Sequence, residues 1–203
     1  MQTNSTDYPA LAKTARARWS TRELLTAAVL AMAFAVLLVP FTYLYAAVLS
    51  LGVLARSALT GLFFMPAAFA AYTLRKPGAI LFVSLVSGLV AIPFTPYGLL
   101  VLGIGALTGV IGEAACWLVN RYRHFSLLRV ALMGLVAGLV EFLLVLFSLR
   151  VSQIEPLVLV AAVGLSALGF VIVAVVARFL ADAVARTGAL ASTALGRERE
   201  RRV

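Results

Sequence analysis

The sequence predicts an all-α polytopic membrane protein: six transmembrane helices in one bundle, both termini cytoplasmic. Three observations carry this. Of 203 residues, 63% are hydrophobic and 12% charged. Mean hydropathy is +1.06, far outside the range of a soluble domain. The basic residues gather at the ends of apolar runs, so a net charge of +9 reads as membrane topology rather than as a nucleic-acid surface with interleaved aromatics.

A hydrocarbon core about 30 Å thick needs about 20 helical residues. Runs at about 22–39, 57–74, 78–94, 98–119, 127–149 and 157–178 meet or approach that length. The first follows Lys13, Arg16, Arg18 and Arg22 but is longer than a signal-peptide core, so it is expected as a retained span. With these crossings, only Arg56 and Arg150 of the 17 Lys and Arg lie opposite the basic side, the positive-inside pattern. A crossing by the shorter apolar run from Phe41 to Ala55 would destroy that asymmetry. An outer loop or short helix at about 41–56 is expected instead. Pro77-Gly78 breaks the chain after Arg75-Lys76, Pro93 and Pro96 bracket an outer turn, and Pro156 opens the last span. The expected organisation is a cytoplasmic segment over 1–21, a membrane domain over 22–183 and a charged cytoplasmic tail over 184–203. The tail, ending GRERERRV, reads as a solvated extension near anionic lipid.

Within the spans, Ala27, Ala31 and Ala35 recur at i, i+4. Small residues at that spacing let another helix approach closely in lipid, either inside the bundle or from a partner protein. On the fourth span Gly105, Gly109 and Gly112 lead to Glu113, about 22 Å from the outer end at 1.5 Å per residue. An acid at that depth costs about 3 kcal/mol unless partnered. Trp117, one turn on, is a candidate donor, and Glu113 reads as a structural pin or a ligand contact. Glu141 lies about 21 Å along the fifth span, in its outer half. Tyr43, Tyr45, Phe94 and Tyr97 are expected at the same end, with Arg150 and Glu155. An acid among rings suits a flat organic cation; the competing reading pairs Glu141 with Arg56.

Catalysis is not expected. The only histidine, His124, falls in a loop, no acidic or Cys/His cluster suits a metal, and Cys116 is a lone buried thiol. No phosphate-binding loop is present, so ATP would be hydrolysed by another chain. No cofactor is expected.

The alanine strip, RKPGA at 75–79 and YGLLVLGIGALTGVIGEAACWLVNRYRH at 97–124 together resemble the substrate-specificity (S) components of energy-coupling factor transporters. The chain is most similar to the YkoE-like group, associated with thiamine or hydroxymethylpyrimidine. That resemblance implies a cell-membrane protein that captures a vitamin outside and delivers it inside, with a transmembrane coupling protein and two cytosolic ATPases as partners. It implies docking of the coupling protein on Ala27 and Ala31, and a lid role for the 41–56 segment. Members of the group often carry acids in the third span, where this chain has Ser84, Ser87 and Ala91. The alternatives from other classes are a stand-alone proton-coupled secondary transporter using Glu113 or Glu141, and a non-transporting membrane scaffold.

Overall fold

A computed structural model of the chain describes residues 19–123, 125–148, 155–191 and 193–200. His124, Arg150 and most of the 1–21 segment lie outside the described residues. Helices α1 (Thr21–Val48), α2 (Val53–Thr60), α3 (Met65–Leu74), α4 (Ala79–Ala91), α5 (Leu100–Val119), α6 (Leu127–Ser148), α7 (Pro156–Arg186) and α8 (Ala194–Glu200) follow in order, with no strand among the described residues. A 3₁₀ turn at Gly61–Phe64 joins α2 to α3, so that Val53–Leu74 is one apolar stretch. Five stretches are long and apolar enough to cross a bilayer, and the shorter Ala79–Phe94 makes the sixth.

The first helix does not end at Pro40. It runs through to Val48, with Pro40 inside it. Proline removes one backbone donor and leaves the Val36 carbonyl without its i+4 partner, a loss tolerated in membrane helices; just beyond it the Thr42 hydroxyl donates to the Val39 carbonyl at 2.6 Å. The expected outer segment at 41–56 is thus the C-terminal end of α1, a turn at Leu49–Gly52 and the start of α2. At 28 residues α1 is about 42 Å long, well beyond the hydrocarbon thickness.

Helix α4 is the opposite case. Its 13 residues span about 20 Å, and Ala79, Ile80 and Val83 are fully buried at its start. It packs against α1, α3 and α5. Small residues bring the neighbours in: a Cβ on Gly105 would sit 2.6 Å from the Ser84 carbonyl oxygen, and one on Gly112 would sit 2.8 Å from Ile80 Cγ2. A second close crossing joins the α2–α3 turn to α7, where a Cβ on Gly61 would lie 2.5 Å from the Gly169 carbonyl carbon. Backbone cannot yield as a side chain can, so Gly61→Ala is expected to cost about 1–3 kcal/mol, read as a lowered melting temperature in detergent. An unchanged melt would show that the α2–α7 crossing is looser than this.

The tail is not a free extension. Helix α7 continues to Arg186, and the chain then turns so that α8 docks on α3. Leu190 and Leu195 are buried, and the fully buried Thr193 accepts the Gly196 N–H on its hydroxyl at 3.3 Å. Charged residues that read as solvated make specific pairs: Arg75 with Glu198 at 2.6 Å, and Arg197 with Glu23 at 3.0 Å. Glu23, only 5% exposed, also closes a capping box with Ser20 and takes Lys76 at 2.6 Å. Desolvating that carboxylate is offset by two cations and a backbone N–H. Arg75 and Lys76 of the RKPGA turn therefore tie the α3–α4 connection to both α1 and α8.

Candidate functional site

Two acids at membrane depth are separated in role by their surroundings. Glu113 belongs to α4 as much as to α5. Its Oε1 accepts the backbone N–H of Ile80 at 3.0 Å and of Leu81 at 3.4 Å, two of the donors that a helix start leaves without intrahelical partners. The residue before the helix, Gly78, offers no side chain to cap it. Ile80 is fully buried and Leu81 partly so, so water has little access to these donors. A carboxylate from the facing helix does so, with the positive end of the helix dipole in its favour.

The other oxygen of Glu113 accepts the hydroxyl of Tyr122, not the indole of Trp117, which is 62% exposed. After α5 the chain makes two consecutive left-handed residues, Arg121 at φ 46° and Tyr122 at φ 58°, and these swing the Tyr122 ring back over Glu113. Burial, then the hydrogen bond to Glu113, pushes the Tyr122 phenol well above its usual range, so it remains a proton donor at any physiological pH. Both oxygens of Glu113 are thus committed within the protein.

Glu141, half-buried on α6, has a different setting. Arg56 of α2 is near enough to act on it electrostatically, and the Ser166 hydroxyl of α7 lies alongside. That hydroxyl is buried and makes no close hydrogen bond among the described residues, which leaves Glu141 as its nearest acceptor of this cluster. Tyr45, itself influenced by Glu141 and Arg56, meets Phe63 edge-on at 5.3 Å and Tyr97 at 6.4 Å. The Tyr97 hydroxyl is likewise buried without a partner. The structure therefore brings together one carboxylate, two buried hydroxyls and three aromatic rings at the Tyr45–Tyr97 end of the bundle. Such a set can hold a flat cation through charge, hydrogen bonds and ring faces.

Of the expected site residues, Glu141, Tyr45 and Tyr97 come together. Tyr43 and Phe94 are 55% and 61% exposed and stand outside the cluster. Glu155, before α7, is exposed. No sequence motif points to Phe63 or Ser166; Phe63 sits in the 3₁₀ turn, which apolar periodicity does not reveal. Ala27, Ala31 and Ala35 are buried at 0%, 0% and 2% exposure. Ala35 packs with Ala91 of α4 and Val101 of α5, so in this conformation the strip is an internal face. The bilayer face of α1 is made by Leu25, Val29, Met32 and Val36. Ser84 and Ser87 line a narrow gap with Leu38, Phe63 and Val101; Ser87 donates to the Ser84 carbonyl at 3.0 Å.

Comparison with known proteins agrees with this architecture. The family model described as ABC-type cobalt transport system, permease component, matches residues 22–140. The "Putative HMP/thiamine permease protein YkoE" of Bacillus subtilis (strain 168) is 30% identical over 185 residues, covering 89% of this chain and 92% of that protein. A solved structure described as the crystal structure of an S-component of ECF transporter superposes with a TM-score of 0.83 at 28% identity, covering 91% of this chain and 95% of the other. A multi-pass cell-membrane bundle with these relatives belongs to the permease-component family of ABC-type cobalt transport systems and, within it, to the YkoE-like substrate-specificity components of energy-coupling factor transporters.

Proposed function

We propose that this chain binds thiamine or its hydroxymethylpyrimidine precursor at the Glu141 end of the bundle, facing outside, and releases it at the basic end, facing the cytoplasm. Energy comes from two cytosolic ATPases acting through a transmembrane coupling protein. The observation that carries this reading is the near full-length similarity to a relative described as an HMP/thiamine permease. The Glu141 cluster supports it: one carboxylate, hydroxyls and rings suit an organic cation better than the cobalt in the family description, since a metal ion prefers several convergent ligands. For the alanine strip to meet a coupling protein, α1 must part from α4. Docking and opening of the bundle would then be one event.

Titration calorimetry of the purified protein with thiamine and with hydroxymethylpyrimidine tests the ligand. Saturable heat with a matching rise in melting temperature is expected for at least one of them. Neither heat nor thermal shift with either would sink the assignment. The rival reading, proton-coupled transport by the chain alone, now rests on Glu141, because both oxygens of Glu113 are engaged. Uptake into vesicles holding only this chain, driven by a pH gradient without ATPases, would favour the rival.

A further inference from the structure

We propose that the turn following α5 holds the headgroup phosphate of an anionic phospholipid. Trp117, Arg121, Tyr122 and Arg123 line a cleft of about 350 Å³ at the basic end, remote from Glu141. The cleft has a fixed shape. The N–H groups of Asn120 and Arg121 both bond the Cys116 carbonyl at 2.9 Å, and the Tyr122 hydroxyl is tied to Glu113. Two successive non-glycine residues in the left-handed region are an uncommon arrangement that persists only where surroundings enforce it, and here they put Arg121, Tyr122 and Arg123 on one cleft.

The ion pairs of the basic end are made by Arg75, Lys76, Arg178 and Arg197. Among the described residues neither Arg121 nor Arg123 meets a carboxylate. Two guanidinium groups against an aromatic wall have the chemistry for a phosphate ester. A lipid is favoured over a soluble phosphate by what adjoins the arginines. Trp117 and Leu118 are each 62% exposed on the helix end just before them, an apolar surface continuous with the bilayer, and tryptophan beside arginine is the usual composition of a headgroup-level anchor. Acyl chains would lie along Leu118 while the phosphate sits between the arginines.

The full chain, purified in detergent and returned to nanodiscs, gives the test. Native mass spectrometry and lipid titration are run with phosphatidylglycerol, with phosphatidylcholine and with inorganic phosphate as competitor. Wild type is expected to retain phosphatidylglycerol over phosphatidylcholine. Arg121→Gln with Arg123→Gln should weaken that retention roughly 30-fold, the loss expected when two direct guanidinium–phosphate contacts are removed. Arg22→Gln with Arg186→Gln, exposed basic residues of the same end that do not line the cleft, should change it less than about 3-fold, their effect being long-range and screened by salt. A melting curve like that of wild type shows that the double variant folds. Equal retention by the Arg121/Arg123 variant, or equal loss in the control pair, would overturn the site. Displacement of the lipid by millimolar inorganic phosphate would overturn the lipid in favour of a soluble phosphate ligand.

Discussion

Glu113→Ala is expected to destabilise the purified protein by about 3–5 kcal/mol, because two backbone donors and a phenol lose their acceptor at once and each buried group left unmade costs about 1–3 kcal/mol. Thermal or denaturant unfolding in detergent reads this directly. Glu113→Gln keeps one acceptor oxygen for the amides of Ile80 and Leu81 and should recover roughly half of the loss. Tyr122→Phe, which removes only the hydroxyl, should cost about 1–2 kcal/mol and should be strongly non-additive with Glu113→Ala, since the two share one contact. Thiamine affinity of whatever remains folded should be unchanged. A wild-type melt for Glu113→Ala, or a selective loss of ligand binding without destabilisation, would show that the carboxylate does not serve as the cap of α4.

Glu141→Gln should do the reverse: stability near wild type or higher, and thiamine affinity lowered on the order of 100-fold, the loss typical when one partner of a desolvated charge contact is neutralised. Removing a charge from membrane depth relieves a cost, so a rise in melting temperature is compatible with this reading. The unpaired Tyr97 hydroxyl gives a finer probe. Tyr97→Phe should weaken binding by about 5- to 10-fold if the ligand accepts that hydrogen bond, whereas Tyr43→Ala and Phe94→Ala, on exposed positions, should leave it nearly unchanged. An affinity of Glu141→Gln within about 3-fold of wild type would remove the charge contact from the mechanism.

These two acids show how far the sequence could be read. The arginines fix the sidedness expected of each span, and rise per residue then separates Glu113 from Glu141 along the bilayer normal; both placements follow from counting. What Glu113 touches does not. Its partner is Tyr122, because Arg121 and Tyr122 take up left-handed backbone, a choice that neither side chain signals by itself. The aromatic site went partly astray for a connected reason. Pro40 reads as a helix end, which leaves Tyr43 and Tyr45 free to share a loop. In a continuous α1 they are about 200° apart, so only one can face Glu141. The tail illustrates a composition trap: Arg197 and Glu198 read as solvent-facing, while Leu190 and Leu195 shortly before them are buried. Periodicity over seven residues in α8 is too short to show which side of a helix is sheltered.

The tail also sets an order for making the protein. Glu23 and Arg197 are 174 residues apart, so the ribosome delivers one long before the other. During insertion the carboxylate at the start of α1 first has Lys76, once the RKPGA turn emerges, and acquires its second cation only when α8 has been synthesised and folded back. Completion of the basic end therefore waits for α8, the last of the described helices in chain order. A chain stalled before α8 would present Glu23, Arg75 and the bared side of α3 to whatever quality-control machinery patrols the membrane.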